Sequence, residues 1–239
     1  MTVLPAIREE IELVTEDGLI LVGELATPPS GTISATLITL HPLPTHGGFM
    51  DSHLLRKAAW RLPHLADIAV LRFNTRGTHS PRGTSQGFFD EGVGEAADVR
   101  AAVNFAVARG LPDRWLLGWS FGTELALMHG AALDVEGAIL LSPPLHRATD
   151  DDLRVWAASG KPVTAFIPEH DDFLQPDAAA QRFAPLTQLE IVPVAGAKHL
   201  WVGEKYVRSA LDGIVARVAP EHHPLPTAVP AGAASTASA

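Results

Sequence analysis

Residues 114–125, RWLLGWSFGTEL, place two glycines and a serine between an apolar run and a run that favours a helix. The first part predicts a buried strand, and the last part predicts a helix that begins directly after the serine. Gly118 and Gly122 lack side chains, so a strand and a helix could approach each other closely around Ser120. An ordinary glycine turn with an incidental serine is the alternative. In this strand-to-helix context, however, G-x-S-x-G predicts a sharp turn that exposes the Ser120 hydroxyl beside a helix N-terminus.

Short apolar runs and helical patterns alternate on both sides of this turn. The runs that predict strands lie at 35–41, 66–73, 114–119, 136–142, 161–167 and 188–194. The apolar spacing that predicts helices lies at 52–64, 92–109, 121–133, 176–184 and 203–218. Fully apolar strands that alternate with helices form sheets covered on both faces. The sequence therefore predicts an α/β fold with a mostly parallel central sheet.

The two ends of the chain depart from this alternation. Near the start, REEIELVT (8–15), the turn EDG and LILVGELATP (19–28) predict an antiparallel hairpin. Residues 220–239 are rich in Pro, Ala and Ser without periodicity, which predicts a disordered tail. The 239 residues therefore divide into one domain over residues 1–219 and the tail over 220–239.

Composition argues against several classes of function. The chain has 18 basic and 27 acidic residues, a net charge of -9, whereas nucleic-acid binding requires clustered Lys and Arg. No basic amphipathic stretch suggests a membrane surface, and the apolar runs are too short to span a bilayer. The absence of cysteine excludes disulfides and a thiol nucleophile. The N-terminal residues do not resemble a signal peptide, so we expect a cytoplasmic protein.

Candidate partners for Ser120 follow in the order that this kind of turn requires. A serine hydroxyl becomes a nucleophile when a base accepts its proton and an acidic group orients that base. Asp171 and Asp172 follow the fifth predicted parallel strand, and His199 follows the sixth. Each of them alone is equally compatible with a solvated loop. Because the carboxyl ends of parallel strands lie at one edge of a sheet, we expect them near Ser120.

Two backbone N–H groups are candidates for stabilising a developing oxyanion. One belongs to Phe121, directly after the serine, and the other to Leu43 in the segment HPLPTHGG (41–48) that follows the first parallel strand. His41 and His46 in this segment invite comparison with a metal site. They have neither helical spacing nor a carboxylate close by, so we expect no metal and no cofactor.

Six segments together carry a specific combination of motifs between about residues 10 and 215: HPLPTHGG (41–48), LRFNTRGTHSPRG (71–83), FDEGVGEAADVRAAVNF (89–105), LLGWSFG (116–122), HDDF (170–173) and AKHLWVGE (197–204). The combination resembles the α/β-hydrolase superfamily, in its lid-less bacterial branch of predicted serine esterases related to dienelactone hydrolases. The resemblance implies the α/β-hydrolase fold without a cap domain. It also implies that Ser120 is the nucleophile, Asp171 the acid and His199 the base. The oxyanion donors would be the N–H groups of Leu43 and Phe121.

The activity that this resemblance implies is hydrolysis of small carboxylic esters through an acyl-enzyme. A thioesterase, amidase or peptidase on the same triad, and a non-catalytic binding protein of the same fold, are the alternatives. The expected partner is a small-molecule ester, while the oligomeric state stays open, a homodimer included. The chain departs from its relatives at Leu43, where they often carry a second histidine, and at Leu200, where an aromatic residue is common. It also lacks the nucleophilic cysteine of dienelactone hydrolases.

Two further segments bear on the substrate. Arg76 and Arg82 lie in a loop after a predicted strand, where an arginine could anchor a substrate carboxylate. We expect Arg76 instead to hold the loop through backbone carbonyls, and leave Arg82 open. The segment 143–160 between two predicted strands is long enough only for a short helix, so we expect no cap domain. The site should then be an open cleft with few apolar walls.

Overall fold

Ten strands, six α-helices and two short 3-10 helices (Pro44–His46 and Pro220–His222) build the part of the chain that the computed structural model describes, residues 3–227. The strands are β1 (Ile7–Val14), β2 (Ile20–Thr27), β3 (Ala35–Leu40), β4 (Ile68–Phe73), β5 (His79–Ser80), β6 (Gly83–Thr84), β7 (Arg114–Trp119), β8 (Gly137–Leu141), β9 (Val163–His170) and β10 (Leu189–Lys198). The helices are α1 (His53–Leu65), α2 (Glu95–Ala108), α3 (Phe121–His129), α4 (Asp150–Ser159), α5 (Pro176–Arg182) and α6 (Glu204–Val218).

The central sheet has eight strands in the order β1-β2-β4-β3-β7-β8-β9-β10. The six strands from β4 to β10 in this order run parallel, and the hairpin β1–β2 joins them antiparallel through β2 and β4. From β3 the chain passes to β4 on one side and later to β7 on the other. The loops after β3 and β7 therefore flank the point where the strand order reverses, which is where ligands bind in open α/β sheets.

The interior strands are apolar because helices cover both of their faces. Every residue of β3, β4 and β8 is buried. Side chains on one face pack with α1 and α6, and those on the other face pack with α2, α3 and α4. Each fully buried leucine contributes about 1.5–3 kcal/mol to stability relative to an exposed one. The predicted parallel sheet, covered on both sides, and the predicted N-terminal hairpin are confirmed.

The connection between β8 and β9 holds α4 and its turns, and no cap domain is inserted there. Thr149 caps α4, accepting a hydrogen bond from the backbone N–H of Asp152, whose carboxylate accepts in turn from the Thr149 N–H. This capping box explains why the acidic run starts a helix. Among the described helices none is long and apolar enough to cross a membrane.

Residues 220–227 differ from the predicted disordered tail. They pack against α6, where the Leu225 side chain is buried. The Leu225 N–H donates to the Asp212 carboxylate at 2.7 Å, and Arg208 donates to the Leu225 carbonyl at 2.9 Å. One apolar anchor and two satisfied backbone groups thus fix a segment whose composition alone suggests disorder. Residues 228–239, the rest of the predicted tail, lie outside the described residues.

Candidate active site

The turn between β7 and α3 holds Ser120 in an unusual backbone conformation. Its φ of 52° and ψ of -117° lie in a region that residues with a Cβ rarely adopt. The Ser120 N–H donates to the Leu141 carbonyl at 2.9 Å, and its own carbonyl accepts from the Thr123 N–H at 2.8 Å. These bonds from β8 and α3 maintain the strain. The predicted sharp turn is present at this position.

Both flanking glycines are required by close backbone contacts. A Cβ on Gly118 would lie 2.5 Å from the Gly122 carbonyl oxygen. A Cβ on Gly122 would lie 2.0 Å from the Leu40 carbonyl oxygen at the end of β3. Real Cβ atoms do not approach backbone atoms so closely, so α3 can start against β3 only if these residues are glycines.

Ser120, His199 and Asp171 form one chain of hydrogen bonds. The Ser120 Oγ lies 2.9 Å from His199 Nε2, and His199 Nδ1 lies 2.9 Å from Asp171 Oδ2. His199 and Asp171 are buried. Three residues from the ends of three different strands therefore meet in the order that the sequence predicts. A hydroxyl, an imidazole and a carboxylate in this geometry can activate an oxygen nucleophile.

The carboxylate of Asp171 is held in its charged form. Burial by itself would raise the pKa of Asp171, but hydrogen bonds from His199 and from the Phe173 and Leu174 N–H groups outweigh it, and the pKa lies below its usual value. A charged Asp171 orients His199 and stabilises the imidazolium form. The neighbouring Asp172 has no contact of this kind and is exposed at the rim of the site.

A cavity of about 510 Å³ opens beside Ser120 and His199. Much of its wall is apolar, from Leu43, Phe121 and Phe173. Phe173 also packs edge-to-face on His199, with ring centroids 4.7 Å apart. The expectation of few apolar walls is therefore wrong: the loops after β3 and β9 supply apolar side chains that no strand or helix pattern reveals.

The backbone of His199 is fixed by side chains that the sequence analysis did not identify. Its carbonyl accepts hydrogen bonds from Trp119 Nε1 and from Ser142 Oγ, both at 3.2 Å. Trp201 Nε1 in turn donates to Ser142 Oγ at 2.9 Å. Trp119, Ser142 and Trp201 are buried. Ser142 is the last residue of a predicted strand and directly follows β8, a position that could have marked it.

The two predicted oxyanion donors line the same cavity as Ser120. Leu43 and Phe121 both contribute to its wall. Within residues 3–227 neither backbone N–H donates a hydrogen bond. Phe121 is the first residue of α3, whose N-terminal N–H groups have no partner inside the helix. Two unused N–H groups beside a serine hydroxyl are suited to binding a negatively charged oxygen.

The loop from His41 to Ser52, between β3 and α1, is fastened to the end of β4 and the loop that follows it. The Met50 N–H donates to Asn74 Oδ1 at 2.9 Å. The Asp51 carboxylate pairs with Arg72, which is fully buried, and accepts from Arg82 Nε at 2.7 Å. Both arginines also pair with the buried Glu24 of β2.

Arg76 and Arg82 have carboxylate partners and lie away from the cavity wall. Arg76 donates to Asp98 on α2 at 2.8 Å and to Asp17 at 3.0 Å. Arg76 therefore holds its loop as expected, although through carboxylates and not through backbone carbonyls. Arg82 is occupied by Asp51 and Glu24, so its role is to join two loops and not to anchor a substrate.

His41 and His46 do not converge on a common ligand position. Both ring nitrogens of the buried His41 are engaged: Nδ1 lies 2.7 Å from the Pro42 carbonyl oxygen, and Nε2 accepts from the Thr75 N–H at 3.1 Å. His46 is exposed at the cavity. With both nitrogens of His41 occupied, these two residues do not form a metal site.

Glu124 is a second buried group that the sequence analysis missed. It lies on α3 and accepts hydrogen bonds from three consecutive N–H groups, those of His146, Arg147 and Ala148, at 2.6, 3.2 and 2.7 Å. His146 and Arg147 line the cavity. Glu124 thus fixes the loop that forms one wall. Its charge within the apolar stretch FGTELAL was the available signal.

Comparisons with known structures agree with this fold. The structure resembles a lid-less α/β serine hydrolase of Xanthomonas campestris, with a TM-score of 0.74 and 29% identity, covering 92% of this chain and 99% of that one. An α/β serine hydrolase homologue of Coxiella burnetii has a TM-score of 0.71 and 25% identity, covering 88% and 97%. An esterase of Pyrococcus furiosus, 17% identical with a TM-score of 0.71, covers 90% and 94% and shares the fold.

Sequence comparison adds little about the reaction. An uncharacterised protein of Rickettsia prowazekii is 30% identical over 150 residues, 62% of this chain and 59% of that protein. The match thus spans less than two thirds of that relative. No protein-family model matches the chain. The chain therefore has the α/β-hydrolase fold without a lid and resembles lid-less α/β serine hydrolases, and these likenesses support a hydrolase activity.

Proposed function

We propose that the protein is a serine hydrolase that cleaves small carboxylic esters through an acyl-enzyme intermediate. The observation that supports it most is the chain of hydrogen bonds from Asp171 through His199 to Ser120, in which the serine has the strained φ of 52°. A structural serine at the surface would need neither this strain nor a buried carboxylate behind its histidine partner.

The reaction follows from the positions of these groups. His199 Nε2 accepts the proton as Ser120 Oγ attacks the ester carbonyl carbon, and the carbonyl oxygen becomes an anion. The N–H groups of Leu43 and Phe121 stabilise this oxyanion. His199 then gives the proton to the departing alcohol, which leaves an acyl group on Ser120. A water molecule, deprotonated by His199, then attacks the acyl group. The bond to Ser120 Oγ breaks, the acid is released, and the proton on His199 returns to Ser120 Oγ.

The experiment that tests this proposal combines covalent labelling with turnover. A fluorophosphonate probe should label Ser120, identified by peptide mapping, and Ser120→Ala should abolish labelling. The same variant should lower the turnover of 4-nitrophenyl butyrate by several orders of magnitude while its thermal unfolding is unchanged. Retention of more than about a tenth of the wild-type rate would contradict the nucleophile assignment, because that loss is below about 1.4 kcal/mol.

Ester, thioester and amide substrates share the same nucleophile and oxyanion donors, so the preference is a matter of measurement. Matched butyryl esters, thioesters and anilides should be compared at equal concentrations. We expect the highest kcat/KM with the ester. Labelling of Ser120 without turnover of any of them would instead favour a binding protein of this fold.

The open site predicts a preference for short acyl groups. Only α4 lies between β8 and β9, so no cap covers the cavity, and Phe173 and Leu200 at its rim are 53% and 57% exposed. The part of a long acyl chain that extends beyond the cavity would stay in water and would not gain the roughly 0.8 kcal/mol for each buried methylene. We expect acetyl to butyryl esters to be cleaved best and kcat/KM to fall from about octanoyl upward. A steady rise through dodecanoyl esters would contradict this preference.

A further inference from the structure

His41 is not among the groups that would contact the substrate. Its side chain is, however, hydrogen-bonded to the peptide that carries one proposed oxyanion donor, the N–H of Leu43. It is completely buried at the end of β3. Its Nδ1 lies 2.7 Å from the carbonyl oxygen of Pro42. That carbonyl and the N–H of Leu43 belong to the same peptide unit, which is planar and trans. Any contact that fixes the direction of one of them therefore fixes the direction of the other.

The hydrogen bonds of His41 define its protonation. The Thr75 backbone N–H donates to His41 Nε2 at 3.1 Å, and a backbone N–H has no other role than donor. Nε2 must therefore be unprotonated, so the neutral ring carries its proton on Nδ1. From there it donates to the Pro42 carbonyl. Thr75, which follows β4, thus selects the tautomer that the Pro42 contact requires.

The absence of a side chain at Gly48 leaves room for the Pro42 carbonyl in this orientation. A Cβ on Gly48 would lie 2.1 Å from the Pro42 carbonyl oxygen and 2.9 Å from the Leu43 carbonyl oxygen. The Leu43 carbonyl also accepts from the N–H groups of His46 and Gly48, at 3.1 and 3.0 Å. The loop therefore folds back on itself around the peptides on both sides of Leu43.

We propose that His41 is a positioning residue, which turns the peptide between Pro42 and Leu43 so that the Leu43 N–H points into the cavity as an oxyanion donor. The inference rests on the proposed function, since Leu43 acts as a donor only in that reaction. His41 does not touch the substrate. Its contribution is to prevent the rotation of this one peptide, which would replace the N–H by a carbonyl oxygen facing the developing anion.

Two substitutions separate the two hydrogen bonds of His41. The amide of Asn ends near the position of Nδ1, so His41→Asn can still donate to Pro42 but cannot reach Thr75. The amide of Gln ends near Nε2, so His41→Gln can accept from Thr75 but does not reach Pro42. Positioning predicts that kcat for a neutral ester falls by about 100-fold in His41→Gln and by less than about tenfold in His41→Asn, with KM unchanged in both.

A purely structural role predicts a different result, because activity would then follow stability. We expect the opposite ranking: His41→Gln, which keeps the link between β3 and β4, should unfold at the higher temperature and yet be the slower enzyme. Equal kcat values, or kcat values that follow the unfolding temperatures, would overturn the inference.

Gly48→Ala provides an independent test with His41 intact. Its Cβ would displace the Pro42 carbonyl, so kcat should fall by about 100-fold, and an unchanged kcat would overturn the inference. Ser120→Ala serves as the reference in each assay. If hydrolysis does not depend on Ser120, the proposed function itself fails. If it does depend on Ser120 while the His41 and Gly48 variants retain their kcat, only the role of His41 is wrong.

Discussion

The two N–H groups proposed to bind the oxyanion come from regions that are built in opposite ways. Phe121 follows the short turn between β7 and α3, whose shape depends on neighbouring glycines and on direct contact with β3. Leu43 lies in the long loop between β3 and α1, whose shape depends on contacts with β4 and with the arginines near it. One donor is thus set mainly by local sequence and the other by distant parts of the chain.

This difference teaches where each half of the site is vulnerable. In the turn, one added methyl group meets backbone atoms that cannot move without displacing a strand. In the loop, only Gly48 meets backbone atoms in this way. The other constraints are hydrogen bonds and ion pairs spread over several side chains, and each of these can be lost with a smaller and more graded effect. Loss of a single donor costs about 100- to 1000-fold in kcat in sites of this type.

Apart from Ser120→Ala, the largest effect should come from replacing the acid of the triad, on which the reaction depends whichever donor is intact. Asp171→Asn keeps the volume of the side chain but removes the charge that orients His199, so turnover should fall by about 1000-fold or more with both N–H donors in place. Asp172→Asn is the matched control, because Asp172 is exposed at the rim, and should retain activity within about threefold. Steady-state kinetics of both variants gives the ranking. The reverse order would assign the acid to Asp172.

Gly122→Ala tests the turn between β7 and α3, which carries the Phe121 donor. Its Cβ would lie 2.0 Å from the Leu40 carbonyl oxygen, so α3 must shift and carry the Phe121 N–H away from the cavity. We expect about a 1000-fold loss of kcat/KM and a lower unfolding temperature. Gly31→Ala is the control for strain alone: Gly31 has a φ of +80° with open space around it. That control should cost about 1–2 kcal/mol in stability without changing the rate. Full activity in Gly122→Ala would show that the turn tolerates displacement.

The loop between β3 and α1, which carries Leu43, should contribute a pH-dependent stability that the turn at Ser120 lacks. Burial lowers the pKa of His41 to about 4, against a value near 6.5 in the unfolded chain. Between these pH values the unfolded chain binds the additional proton. The stability that neutral His41 provides is therefore complete above about pH 6.5 and is lost as the pH falls towards 4, by about 3 kcal/mol in all.

This contribution is isolated by urea unfolding of the wild type and of His41→Gln at several pH values. Other buried groups also respond to pH, including Glu95 and Asp98, whose pKa values burial raises, so the difference between the two proteins is the quantity to follow. Their difference in free energy of unfolding should shrink as the pH falls from 7 to 4. A constant difference would show that His41 does not change its protonation on folding.

Much of the fold could be predicted because its signals are local. The strand that ends at Trp119, the turn at Ser120 and the helix after it differ in hydrophobic period and in glycine content over a few residues. The apolar runs of the other parallel strands are equally explicit, since a strand buried on both faces is mostly apolar, with Thr36, Thr39 and Arg72 among the buried polar exceptions. The observed strands match them to within a few residues, with β9 and β10 extending further than predicted.

The candidate site was predictable only in part. Ser120 and His199 stand at strand ends, where the topology itself brings them together. Asp171 could be separated from Asp172 by resemblance alone, until the structure placed one against His199 and the other at the rim. The supporting groups were harder to find. Ser142 at a strand end and Glu124 in an apolar stretch carry a signal in the sequence. However, Trp119, Ser142 and Glu124 act through backbone carbonyl and N–H groups far along the chain, and no pattern in the sequence identifies those partners.

The sequence by itself determined the alternation of strands and helices, the position of the strained serine, and the absence of a cap between β8 and β9. These depend on hydrophobic period, on glycines and on segment length, which act over short distances along the chain. The tertiary structure alone decided which carboxylate faces His199, which charges Arg82 neutralises, and which tautomer of His41 faces the peptide before Leu43. Those outcomes depend on contacts between residues distant in sequence, whose hydrogen-bond directions exist only once the sheet has brought them together.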